Sequence, residues 1–219
     1  MKATKSHPSQ GGGFFYTYPM KLLHIGCGPK RKPQTTRGFN TDQWQEIRLD
    51  IDPSVEPDVT GTMTDMSAVA FGSVDAIFSS HNIEHLYPHE VPVALSEFHR
   101  VLSDDGFAVI TCPDLQSVCA LVAEDKLTDA AYTSPAGPIA PIDILYGYRP
   151  SMSNGNLFMA HRCGFTQKVL SGTLQSCGFK SVATMARGRA PFFDLWALAS
   201  KSERSEDQMR ELAKLHFPL

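Results

Sequence analysis

Leu23-His24-Ile25-Gly26-Cys27-Gly28 is a short apolar run stopped by a glycine turn. Glu46-Ile47-Arg48-Leu49-Asp50 is a second run, closing on an acid 22 positions after Gly28. The first stretch reads as a strand whose glycines let a ligand approach the backbone closely, since no Cβ stands in the way. An acid at the tip of the neighbouring strand can accept hydrogen bonds from ribose hydroxyls. The pair points to a ligand that contains a nucleoside.

The same stretch narrows which one. A dinucleotide site wants G-x-G-x-x-G and a helix N-terminus aimed at the pyrophosphate. Arg31 occupies the third glycine position here, and Pro33 interrupts any helix starting there. A phosphate cradle is therefore badly formed. A cofactor with ribose but no phosphate needs only the glycines and the acid, and S-adenosylmethionine is that cofactor.

Around this site, strands and helices alternate. Val74-Asp75-Ala76-Ile77-Phe78 and Phe107-Ala108-Val109-Ile110-Thr111 are further strands. Between them Val91, Ala94, Leu95, Phe98, Val101 and Leu102 recur at three- and four-residue steps, which is a helix. Asp104-Asp105-Gly106 reads as the turn into the next strand. Strand, helix, turn and strand make the crossover unit of a parallel sheet. A helix follows Asp114, another runs from Thr166 to Cys177 with Gly178 as its stop, and strands close the pattern around 180–185 and 192–199. The reading divides the chain into a flexible arm (1–18), one domain (19–200) and an amphipathic helical tail (201–219).

Composition agrees with one ordinary globular domain. The 219 residues are 42% hydrophobic and 20% charged, with a net charge of −3. That balance lacks the basic field of a nucleic-acid binder. No apolar stretch reaches the roughly 18 residues of a membrane span. Five scattered cysteines without a CxxC pair fit buried thiols rather than a disulfide framework or zinc ribbon. A soluble, cytoplasmic protein with a small-molecule partner is the expectation; nucleic acid is not favoured, and a homodimer is left open.

The chain resembles the class I S-adenosylmethionine-dependent methyltransferases, especially the small bacterial group in the type 11 region. The resemblance covers about residues 20–115 by motif and Phe165–Ser200 by pattern. His24–Gly28 is similar to the family's first motif, and Leu49-Asp50-Ile51-Asp52 to its second-strand acid motif. Asp58–Asp65 is similar to the adenine-side segment, Ser73–His81 to the fourth strand and its exit, and Phe98–Asp114 to the following helix and fifth strand.

The resemblance implies a three-layer Rossmann-like fold, with a mostly parallel seven-stranded sheet and an antiparallel last strand. It implies S-adenosylmethionine as cofactor and S-adenosylhomocysteine as product. Gly26, Cys27 and Gly28 would line the methionine half and Asp50 would hold the ribose. Asp52 is a rival, because two acids two apart on one strand share a face. Met63 would offer backbone to the adenine. The family's adenine-side acid falls at Thr62, leaving either Asp65 as substitute or no such contact. Ser80 and His81 would face the methyl group. The first helix after Gly28 is expected to be short or absent.

The acceptor side is read from residues 126–160, rich in proline, glycine and tyrosine, which are expected to form a cover without helix or central strand. His81 is the first candidate base and His161 the second, since imidazole titrates near neutrality. Tyr146, Arg149 and Arg162 are the candidate substrate contacts. His81-Asn82-Ile83-Glu84-His85 also matches H-x-x-E-H, an inverted zinc-peptidase signature. That signature wants a long helix, and Pro88 limits this one to about two turns. No metal is therefore expected, with Glu84 and His85 as a structural hydrogen-bonded pair. The competing readings are a noncatalytic nucleoside-binding module and, third, a zinc hydrolase.

Overall fold

Successive side chains of a strand point to opposite faces, so a sheet covered on both sides must be apolar on both. This chain meets that demand. The computed structural model describes residues 19–218, so the expected arm over 1–18 lies outside the described residues. The sheet strands are β1 (Met20–Ile25), β2 (Trp44–Asp50), β3 (Val59–Thr60), β4 (Val74–Ser80), β5 (Leu102–Pro113), β8 (Ser181–Arg187) and β9 (Asp194–Ser200). Their order is β3-β2-β1-β4-β5-β9-β8, parallel except where β9 runs antiparallel to both neighbours. A separate hairpin pairs β6 (Tyr132–Ser134) with β7 (Gly137–Ile139).

The two faces sort by sequence parity. Leu23, Ile77, Ala108 and Ile110 pack against α1 (Val91–Val101) and α5 (Gln167–Ser176), through Leu95, Phe98, Leu170 and Leu174. Leu22, Ala76, Phe78, Phe107 and Val109 face the other way, toward Phe39, Trp44 and Met209 of α6 (Glu206–His216). Three layers result, as expected. The expected amphipathic tail is one of them: α6 seals the second face rather than hanging from it.

Two local expectations change. Asp104-Asp105-Gly106 is not a turn before a strand but a bulge inside β5, since Val74 pairs with Leu102 and Ala76 already with Phe107. Extra residues on one strand are absorbed by such a bulge. The stretch 126–160 is also more regular than its prolines suggested. Besides the hairpin it forms α3 (Pro141–Tyr146) and α4 (Arg149–Ser153). Both carry a proline in the first helical turn, where its missing N–H costs nothing and its fixed φ suits the helix. The remaining helix, α2 (Leu115–Ala123), starts where Asp114 Oδ1 accepts from Gln116 N at 3.2 Å.

The docking of α6 is sensitive to acid. His216 is buried against Phe39, with ring centroids 4.2 Å apart, and its Nδ1 lies 2.7 Å from Thr36 Oγ1. Burial, helped by the charge of Arg37, lowers its pKa to about 4. An unfolded histidine titrates near 6.5, so the unfolded chain binds the extra proton first. Stability from this site is complete above about pH 6.5 and is lost as pH falls toward 4, by up to about 1.4 kcal/mol per unit. Denaturant melts at pH 7.5 and 5.0 should show this site costing the wild type about 2 kcal/mol. The His216→Phe variant should show a pH difference smaller by that amount; an equal difference in both proteins would refute the assignment.

Candidate functional site

Of the residues expected on the cofactor side, Gly26–Gly28, Asp50 and Ser80 lie at the ends of β1, β2 and β4, and Met63 and Asp65 follow β3. Gly26 and Gly28 both have φ in the left-handed region, +59° and +50°. At Gly26 the reason is crowding: a Cβ there would sit 2.1 Å from Asn82 Oδ1. Asn82 in turn donates through Nδ2 to Ile25 O at 2.9 Å, stitching the exit of β4 to the end of β1. At Gly28 a Cβ would meet nothing within 4 Å among the described residues, which leave open space beside this backbone. The Cys27 thiol is buried, and burial pushes its pKa up to about 11, so this residue offers only main chain to that space. Beyond Gly28 the first helix is reduced to a single 3-10 turn, Lys32–Gln34, as expected from Pro33.

Asp50 ends β2, and its carboxylate is held by two main-chain donors. Gly28 N donates to Oδ2 at 2.7 Å and Asp52 N to Oδ1 at 2.9 Å. The acid and the glycine turn are thus one hydrogen-bonded unit. Asp52 does not share its face. It lies past the strand end, exposed, and caps the turn Pro53–Val55 by accepting from Ser54 N at 2.8 Å. The parity argument fails because the strand stops at Asp50. Asp65 is likewise exposed and spends its carboxylate on Ser67 N at 3.1 Å. Met63 packs partly buried against the core, and Ser80 shares a hydrogen bond with Thr111 Oγ1 at 2.8 Å.

Sequence reasoning passed over Arg48. Its side chain is fully buried, and its guanidinium donates to the carbonyls of Gly28, Lys30, Val55 and Glu56. It fastens the loop after β1 to the loop after β2. A charged residue inside a strand pattern was the available signal, because a buried arginine needs partners. Ile51, next in sequence to Asp50, was also passed over; it is a large apolar side chain left 44% exposed.

A cavity of about 350 Å³ adjoins the exit of β4. His81, Glu84, His85 and His161 line it on one side, with Tyr132, Tyr148, Phe192, Phe193 and Asp194 among its other walls. His81 has φ +56°, and its N–H donates to Thr111 O at 2.9 Å, which fixes the bend leaving the strand. Its ring is half exposed, and Nδ1 stands 3.3 Å from Glu84 Oε1. Burial opposes charge on both partners, yet their mutual attraction prevails: His81 is raised and Glu84 lowered from their ordinary values. His161 is lowered by burial, against the pull of Glu84.

The expected hydrogen bond between Glu84 and His85 is not formed. His85 Nδ1 instead donates to Ala160 O at 3.1 Å, and among the described residues neither Glu84 oxygen has a hydrogen-bond partner. Nor is there a long helix: Ile83–His85 is a single 3-10 turn, which removes the basis of the peptidase resemblance. Of the candidate acceptor residues, His81 and His161 line the cavity, whereas Tyr146, Arg149 and Arg162 do not. Tyr146 is exposed, Arg149 is bound to Asp143 at 2.7 Å, and Arg162 stacks on Tyr87 while donating to His85 O at 3.0 Å. Tyr132 and Tyr148 are the tyrosines that line the cavity.

Residues 23–110 match a family model described as a methyltransferase domain. Solved structures of the same fold include a S-adenosylmethionine-dependent methyltransferase of Methanosarcina mazei (TM-score 0.55, 16% identity, 87% of this chain and 96% of that one). Another is a putative S-adenosylmethionine-dependent methyltransferase of Listeria monocytogenes (0.55, 14%, 85% and 91%). A third is the 1,6-didemethyltoxoflavin-N1-methyltransferase of Burkholderia thailandensis, solved with 1,6-didemethyltoxoflavin and S-adenosylhomocysteine (0.52, 15%, 85% and 72%). No curated protein matches by sequence. Among the described residues no helix is long and apolar enough to cross a membrane.

Proposed function

We propose that this chain is a class I S-adenosylmethionine-dependent methyltransferase that carries a methyl group to a small, partly aromatic acceptor held in the cavity beside His81. The observation that carries this reading is the joined unit of Asp50 and Gly28 at the ends of β1 and β2, tied through Asn82 to the β4 exit whose His81 lines that cavity. Asp50 offers its remaining lone pairs to the ribose hydroxyls, the Gly26–Gly28 turn borders the methionine half, and Ile51 gives the adenine an apolar face. The cofactor supplies a methyl on a positively charged sulfur, already a good leaving group. What the protein must add is alignment of the acceptor atom about 3 Å from the methyl carbon, opposite the sulfur.

The cavity suits a small molecule: its volume falls in the usual range of roughly 300–1,000 Å³ for ligand sites. Tyr132, Tyr148, Phe192 and Phe193 favour a flat ring, and the Burkholderia relative, solved with 1,6-didemethyltoxoflavin, is named as an N1-methyltransferase for it. His81 takes the acceptor proton where the acceptor is a hydroxyl or a protonated amine. Residues 132–159 supply one wall through Ile139, Asp143, Ile144, Tyr148 and Met159.

Transfer of radiolabelled methyl from S-adenosylmethionine to a panel of hydroxyl- and amine-bearing aromatic compounds tests the reading. Turnover of at least one is expected, and it should be lost when Ile139→Trp fills the cavity, with S-adenosylhomocysteine affinity kept. Cofactor binding without turnover anywhere in the panel, or turnover indifferent to Ile139→Trp, would contradict it.

A further inference from the structure

Glu84 is the most costly side chain in the cavity wall. It is 1% exposed, and neither carboxylate oxygen finds a hydrogen bond among the described residues. Buried carboxylates are ordinarily paired, hydrogen-bonded or bound to a metal, because an unpaired one forfeits its hydration for nothing. The 3.3 Å contact with His81 reaches only Oε1, and the His81 ring is itself half in solvent. Something else is needed on the cavity side.

The two remaining histidines are arranged to supply it. His85 Nδ1 lies 3.1 Å from Ala160 O and His161 Nδ1 lies 2.8 Å from Ile144 O. A carbonyl can only accept, so in both rings Nδ1 carries the proton and Nε2 is left with its lone pair free. A ring nitrogen donating to a main-chain carbonyl while the other points at a shared centre is how metal-binding histidines are oriented. One ligand atom each from Glu84, His85 and His161 lie within 4.8 Å of one another. The segments bearing them are laced together by the main chain, since Arg162 N and Cys163 N both donate to Glu84 O, at 2.8 and 3.2 Å.

We propose that Glu84, His85 and His161 bind one divalent first-row transition ion, of the zinc class, in the wall of the acceptor cavity. Two imidazoles and one carboxylate are a donor set for zinc, iron or cobalt rather than for magnesium or calcium, which prefer oxygen throughout. The short turn at Ile83–His85 is no obstacle, because the third ligand comes from a segment 76 positions further along rather than from a longer helix. Three protein ligands leave at least one position open toward the cavity. There the ion would hold and polarise an oxygen of the acceptor. That last role rests on the methyltransferase reading; the binding of the ion does not.

The test uses Co²⁺ as probe on full-length protein purified without a histidine tag and stripped with a chelator. Visible absorption should rise to a plateau at one equivalent. Glu84→Gln and His161→Ala should each weaken binding by more than 100-fold, whereas His89→Ala, an exposed histidine nearby, should leave it unchanged. S-adenosylhomocysteine affinity, measured in parallel, should be the same in all variants, which shows that they are folded and keeps the outcome separate from the methyltransferase reading. Absence of a stoichiometric Co²⁺ spectrum in the wild type, or binding that survives both ligand variants, would overturn the site.

Discussion

Arg48→Leu is expected to lower folding stability by about 3 kcal/mol or more and to abolish measurable cofactor binding in whatever protein still folds. Leucine fills much of the buried volume but leaves the carbonyls of Gly28, Lys30, Val55 and Glu56 without donors. Each buried group deprived of its partner costs about 1–3 kcal/mol, less whatever the loops recover by opening to water. Opening is itself the functional loss, since Gly28 O is one of the four and Gly28 N is what holds Asp50. Arg48→Lys should fall between the two proteins, because an ammonium cannot reach four acceptors spread around a planar guanidinium. Denaturant titration checks the stability and calorimetry the binding. A leucine variant within about 0.5 kcal/mol of wild type would show that the clamp is dispensable.

His81→Asn is expected to reduce kcat by about 10²- to 10⁴-fold, the usual contribution of a positioned proton acceptor, while cofactor affinity moves less than threefold. Asparagine is chosen because the backbone at this position has φ +56°, a region that asparagine tolerates better than most residues. The N–H to Thr111 O bond and the bend after β4 should therefore survive. What is removed is a ring that stands at the cavity mouth directly behind the strand whose end faces the methyl group in this reading. Single-turnover measurement with the best acceptor of the panel separates this from slow product release. A kcat within twofold of wild type would assign His81 a structural role.

The strand and helix pattern was readable because burial on both faces of the sheet imposes unbroken apolar runs, such as Val109-Ile110 in β5 and Leu22-Leu23 in β1. The glycine turn and Asp50 were readable because their spacing follows from the length of one strand-to-strand connection. What escaped was long-range. Nothing near Arg48 announces that its partners lie in two loops, at Gly28, Lys30, Val55 and Glu56. The pairing of His161 with Glu84 and His85 depends on how residues 126–160 return to the sheet, and local sequence does not encode that path. The shared-face argument for Asp52 failed for a simpler reason: parity along a strand says nothing about a residue beyond the strand's end. Prolines misled in 141–150 because they mark helix starts as readily as helix breaks.

The central claim is that one cofactor molecule sits on the unit made by Gly26, Gly28 and Asp50. Calorimetric titration of S-adenosylhomocysteine into wild type and Asp50→Ala tests it most directly. Binding at one site per chain is predicted for the wild type. Asp50→Ala should weaken it by about 1–3 kcal/mol, the range for unpaired hydroxyls and lost charge-assisted bonds, with Asp52→Ala close to wild type. No heat at millimolar ligand in the wild type, or equal affinity in the wild type and Asp50→Ala, would contradict the account.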